Sequence, residues 1–166
     1  MNDTLLEARL GAALRAKAWT ISAAESCTGG LLLHRLTNIP GSSGYVQGGV
    51  IAYADAVKER LLGVQRASLI EHGAVSEVVA REMALGVLNL FATEVAISIT
   101  GIAGPGGATP TKPVGLTFIG IAIRGAVGAP AVHIDHDIYP GDRGRVKQLS
   151  TDRALALARE LLEAAP

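Results

Sequence analysis

Cysteine is almost missing from this sequence. Among 166 residues there is one, Cys27, so no intrachain disulfide can form, and this usage fits a reducing compartment such as the cytoplasm. Aromatic residues amount to 4%, which leaves the core to Ala, Val, Ile and Leu. No apolar run approaches the roughly 18 residues that a membrane-spanning helix needs. The start, Met1-Asn2-Asp3-Thr4, lacks the basic segment and apolar stretch of a signal peptide. Charge of one sign is lacking as well: 15 Lys and Arg balance 15 Asp and Glu. That balance argues against a nucleic-acid-binding face, because such a face needs clustered cations. Metal-ligand spacing is absent too, apart from His133-Ile134-Asp135-His136-Asp137, which reads as the polar face of a strand.

What the chain does have is a 49% hydrophobic content and a length suited to one domain, residues 1–166. Asp3 and Thr4 are expected to cap a first helix running to about Lys17. A short buried strand at 19–24 leads into Ala24-Glu25-Ser26-Cys27-Thr28-Gly29-Gly30, and Thr28 is expected to cap a helix over 30–37. A loop at 38–44 precedes a strand at 45–53, in which Gly48-Gly49 signals a bulge. Asp55 is expected to cap a helix closed by Gly63, Ala67–His72 forms another turn, and Ser76 caps a longer helix to Phe91. Strands follow at 94–100, 114–124 and 131–139, the last two as a hairpin, and Asp142 caps a final helix. Helices alternating with strands, then strands in succession, predict a single three-layer α/β/α domain with a mixed, mostly parallel sheet. Ligands of such sheets gather at the carboxyl ends of strands, where the turn after residue 24 and the glycine-rich loop after residue 100 both lie.

Several residues there could carry chemistry. Ser26 sits in the strand-to-helix turn, where a helix N-terminus favours an anion or an oxyanion. Its other reading is a turn or capping serine. None of His34, His72, His133 and His136 sits in an obvious loop beside a glycine turn, so a Ser-His-Asp triad has little support. Tyr53 and Lys58 straddle a strand-to-helix corner. A lysine shielded from water loses its proton more readily and can act as a base, although a surface lysine and an interfacial tyrosine fit the same pattern. Cys27 points opposite to Ser26 by strand alternation and reads as a small buried hydrophobe. The loop 100–110 has no Walker A ending, but its glycines permit close approach of backbone to a ligand. Arg143, Arg145 and Lys147 oppose the dipole at the start of the last helix. A bound phosphate would relieve that conflict, and so would simple exposure to water.

Taken in order, Ala24-Glu25-Ser26-Cys27-Thr28-Gly29-Gly30, Gly48-Gly49-Val50-Ile51-Ala52-Tyr53, Lys58 with Leu61-Leu62-Gly63-Val64, His72-Gly73-Ala74-Val75-Ser76 and Thr100-Gly101-Ile102-Ala103-Gly104-Pro105-Gly106-Gly107 through Lys112-Pro113-Val114-Gly115 resemble the C-terminal domain family of the competence-damage protein CinA. The resemblance runs over nearly the whole chain. Standalone members of that family include nicotinamide mononucleotide deamidases. The resemblance therefore implies an amidohydrolase that converts nicotinamide mononucleotide to nicotinate mononucleotide and ammonia, in pyridine-nucleotide salvage. It implies catalytic roles for Ser26, Tyr53 and Lys58, with Lys58 accepting the Ser26 proton directly or through Tyr53. It also implies substrate contacts from Cys27, Thr28, Gly29, Gly30, Thr100, Gly101, Ala103 and Gly104, and a phosphate site at Arg143 and Arg145. Neither metal nor organic cofactor is implied. The partner is a small nucleotide, not a nucleic acid or a membrane, and the apolar composition leads us to expect a homo-oligomer, a dimer. The other functional reading is a non-catalytic nucleotide-binding or regulatory module of the same family. All of this requires the Ser26 hydroxyl, the Tyr53 phenol and the Lys58 amine to share one cavity.

Overall fold

The computed structural model describes residues 5–125 and 127–165. Its elements are α1 (Leu6–Lys17), β1 (Ile21–Glu25), α2 (Leu31–Thr37), a 3-10 turn (Ser42–Gly44), β2 (Val46–Ile51), α3 (Asp55–Leu62), α4 (Arg66–His72), α5 (Glu77–Phe91), β3 (Val95–Gly101), β4 (Leu116–Ile123), β5 (Ala131–Ile138) and α6 (Arg143–Ala164). The five strands form one sheet in the order β2-β1-β3-β4-β5. β1 pairs parallel with β2 and β3, whereas β3–β4 and β4–β5 are antiparallel. Four strands thus run one way and β4 alone opposes them, so the pairings divide evenly between the two kinds.

The alternation of β1 splits the core in two. Ile21 and Ala23 face Leu10 and Leu14 of α1, Leu32 and Leu36 of α2, and Leu155 and Ala158 of α6. Ala24 faces the other way, with Val79, Met83, Val87 and Leu88 of α5. Both layers are mainly aliphatic, as the shortage of aromatics requires; Tyr45 is the large ring buried within them among the described residues, while Trp19, Tyr139 and Phe91 pack at their margins. Where small residues stand, main chains approach closely. A Cβ on Gly86 of α5 would lie 2.0 Å from the Leu62 carbonyl at the end of α3, and one on Gly49 would lie 2.3 Å from the Ala23 carbonyl. The bulge expected at Gly48-Gly49 falls one residue earlier, as a register shift against β1 at Gln47, and both glycines pair in register with Ser22 and Ala23.

Ser76 and Asp142 cap α5 and α6 as expected, accepting from the Val79 and Arg145 amides. Two other caps differ. Asp55 is the first residue of α3 and not its cap; Ala54 occupies that position, and the Asp55 carboxylate turns toward Lys58. Thr28 does not cap α2 either. Gly30 takes the position, and Glu25 supplies the carboxylate from the end of β1. Asp3 and Thr4 lie outside the described residues, and the cap position of α1 falls on Leu5.

Candidate active site

The carboxyl ends of β1, β2 and β3 open into a cleft of about 250 Å³. Ser26 forms its floor. Its amide donates to the Ile99 carbonyl (2.9 Å), so the residue continues the line of β1 into the turn. Lys58 enters from α3 and is 1% exposed. Its Nζ lies 3.3 Å from Ser26 Oγ, 2.9 Å from the Ala52 carbonyl, 3.3 Å from the Tyr53 carbonyl and 3.5 Å from Asp55 Oδ1. Burial holds the ammonium below the ordinary lysine range, with Asp55 pulling the other way. The two carbonyls accept N–H in either protonation state. The direction left over points at Ser26, where an ammonium donates and a free amine can receive the hydroxyl proton.

Tyr53 lines the cleft too, but its phenol does not bridge Ser26 and Lys58. Lys58 meets the Tyr53 main chain. The phenol oxygen accepts from Arg143 Nη2 (3.0 Å), and Arg143 Nη1 donates to the Gly104 carbonyl (2.8 Å). The residue is 61% exposed, at the mouth of the cleft. A tyrosine relay therefore gives way to direct contact between Lys58 and Ser26.

The other expected site residues separate into two groups. Cys27, Thr100, Gly101, Ala103, Gly104 and Arg143 border the cleft. Thr28, Gly29, Gly30 and Arg145 do not. The N-terminus of α2, expected to serve an anion or an oxyanion, is already filled. The Glu25 carboxylate accepts from the amides of Gly30 (3.0 Å), Leu32 (3.1 Å) and Leu33 (2.9 Å), and the Gly29 amide donates to the Ser26 carbonyl. Of that run, only the Cys27 and Thr28 amides find no main-chain acceptor among the described residues, and the Cys27 amide meets its own thiol. The thiol of Cys27 packs into the core beneath α6, and burial pushes it up to about 11, so it is no rival nucleophile at neutral pH. Arg145 does not reach the cleft: it is exposed, with its Cβ and Cγ against Gly141.

Sequence reasoning assigned no site role to Asp55, Ala74 or Val75, all of which line the cleft, whereas Ile102, Gly106 and Gly107 line it as part of the glycine-rich loop expected to approach a ligand. Nor did it assign one to Glu25. A signal existed for Glu25: it is the one acid in a turn whose following helix has glycine at the cap. For Asp55 the three-residue spacing to Lys58 on one helix was the clue. His133–Asp137 lies on edge strand β5, away from the cleft. There Arg153 pairs with Asp135 (2.6 Å) and His136 stacks on Phe118.

Comparison with known proteins agrees with this architecture. The CinA C-terminal domain matches residues 3–162. A CinA-like protein of Chloroherpeton thalassium is 46% identical over 162 residues, 98% of this chain and 38% of its own. A CinA-like protein of Salinibacter ruber is 49% identical over 160 residues, 96% of this chain and 38% of its own. The chain thus spans about 38% of the length of these curated relatives. Among solved structures, a competence-damaged protein (CinA) superfamily protein from Klebsiella pneumoniae 700603 superposes with a TM-score of 0.91 at 32% identity, covering 99% of this chain and all of that one. The competence/damage inducible protein CihA from Agrobacterium tumefaciens gives 0.88 at 36% identity, covering 96% and 92%.

Proposed function

The chain belongs to the CinA C-terminal domain family, and from that footing we propose that it is an amidohydrolase acting on nicotinamide mononucleotide. One observation carries the reading: a buried lysine amine 3.3 Å from a serine hydroxyl, on the floor of an open cleft. The unprotonated Lys58 amine takes the Ser26 proton as Oγ attacks the carboxamide carbon. The amide of Cys27, the residue of that turn that borders the cleft beside Ser26, is the donor we assign to the developing oxyanion. Lys58 then returns the proton to the departing nitrogen. Ammonia leaves an acyl-Ser26 ester, and water, deprotonated by the same amine, cleaves it to nicotinate mononucleotide. Tyr53 and Arg143 belong to substrate binding in this scheme. Besides Lys58, Arg143 is the cationic side chain that lines the cleft among the described residues, and a phosphate would exchange with its present partners.

The test is ammonia release from nicotinamide mononucleotide by the pure protein. Ser26→Ala and Lys58→Met are expected to lose about 10²- to 10⁴-fold in kcat, the range for removal of an acid–base group. Undiminished turnover in either variant rejects the scheme. Binding without ammonia release by the unaltered protein favours a non-catalytic nucleotide-binding module instead.

A further inference from the structure

Glu25 is a fully buried acid, and no cationic side chain pairs with it among the described residues. Its carboxylate is satisfied by main-chain amides alone: Oε2 accepts from Gly30 and Leu32, and Oε1 from Leu33, all within 3.1 Å. These contacts reach five to eight residues ahead. They close the segment Ser26–Gly29 into a ring fastened at one end by β1 and at the other by α2. The main chain of Glu25 holds a second line. Its carbonyl accepts from the Ala52 amide (2.8 Å), and the Ala52 carbonyl accepts from Lys58 Nζ (2.9 Å). One residue thus ties together the turn that presents the Ser26 hydroxyl and the strand end that holds the Lys58 amine.

We infer that Glu25 is the positioning residue of the Ser26–Lys58 pair, setting the direction of the serine hydroxyl through the turn it staples. A merely structural acid at this place would contribute stability without affecting reactivity per folded molecule. A positioning acid governs the rate at which Ser26 reacts while leaving substrate binding alone. The inference rests on the amidohydrolase reading only for its consequence in turnover. Its geometric content concerns Ser26 itself.

The discriminating variant is Glu25→Gln, which keeps the shape but replaces one acceptor oxygen with an NH₂ that faces an N–H donor. Ser26 reactivity is read with diisopropyl fluorophosphate by intact mass, against Ser26→Ala as background. An Oγ–P bond forms, the P–F bond breaks, fluoride leaves and the hydroxyl proton passes to Lys58. In Glu25→Gln, with folding verified by circular dichroism at the assay temperature, labelling should slow by about tenfold or more. Steady-state kcat should fall by a similar factor with KM held within about twofold. Labelling at the unaltered protein's rate in this variant overturns the inference. If the unaltered protein labels but releases no ammonia, and the variant labels slowly, the positioning role stands and the amidohydrolase reading falls. Absence of Ser26 labelling in the unaltered protein overturns both. Should Glu25→Gln fail to fold, Gly30→Ala disturbs the same contact from its amide end, since Gly30 has φ +101° and a Cβ there would lie 3.2 Å from Ile51. An unchanged labelling rate in folded Gly30→Ala overturns the inference equally.

Discussion

Lys58 has four acceptors within 3.5 Å and at most three hydrogens to give. Losing one proton leaves two N–H, which the Ala52 and Tyr53 carbonyls engage, and turns the lone pair toward Ser26. Because burial holds this amine below the ordinary lysine range, the unfolded chain binds its proton to higher pH than the folded one. Stability contributed at this position therefore rises with pH between the folded value and the ordinary lysine range. Cys27 works in the opposite sense. Its thiol, raised to about 11, keeps a proton that the unfolded chain has already lost, so stability falls with pH from the ordinary thiol range up to about 11. Urea midpoints measured across alkaline pH for the unaltered protein and Lys58→Met should differ by an ascending component that only the lysine supplies. Parallel curves would refute the depressed amine. A second measurement checks the thiol: Ellman's reagent at pH 8 should modify Cys27 only as fast as the protein opens, and rapid native labelling would contradict its burial.

At the scale of elements, α3 matters because it carries Lys58, and its height above the sheet is set by α5. The Gly86 position leaves no room for a Cβ against the Leu62 carbonyl. Gly86→Ala is expected to cost at least about 2 kcal/mol by overpacking and, on the proposed amidohydrolase reading, to lower ammonia release by displacing α3, although residue 86 is remote from the cleft. Thermal melts and turnover check both effects, and a variant of unchanged activity would show that α3 does not need this seat. Ser76→Ala should cost about 1 kcal/mol through loss of the α5 cap and leave the cleft alone. Much of this level was legible beforehand. Periodicity and glycine punctuation place α5, α6 and the β4–β5 hairpin within a few residues, because their apolar stripes and caps are local. What local signals could not give was Glu25 as the cap of α2, since its partners lie up to eight residues away and only the fold of the turn brings them to the carboxylate. The direction of the Tyr53 phenol was hidden for the same reason. Its partner, Arg143, is 90 residues distant.

For the molecule as a whole, one arginine binds a layer together. Arg35 of α2 donates to Glu7 of α1 (2.7 Å) and to Asp152 of α6 (2.5 Å). Burial acts to raise the Glu7 carboxyl, and the bonds from Arg35 overcome it, leaving the group below the ordinary glutamate range. A carboxyl held low in the folded state contributes stability that is fully present above that range and is lost as pH falls through the folded value. Glu7→Gln should therefore be less stable than the unaltered protein at neutral pH by about 1.5–3 kcal/mol, the value of a hydrogen bond to a charged group. The gap should close in acid, as chemical denaturation at several pH values can show. A gap that persists undiminished in acid would assign the loss to packing.

The seating of Gly86 against Leu62 has a mechanical corollary. Main chain abuts main chain behind α3 at Leu62, so that wall of the cleft has little room to move back. The opposite wall is the excursion between Ile102 and Gly115, pinned at its feet by the Ile102–Leu116 and Gly115–Ile102 bonds and touched farther out by Lys112 on the His72 carbonyl. The cleft is thus a vise with one fixed jaw, and accommodation of bulkier guests falls to the glycine-rich side. Selection for a new substrate should accordingly accumulate its changes in residues 103–114 and spare the helix that bears the amine.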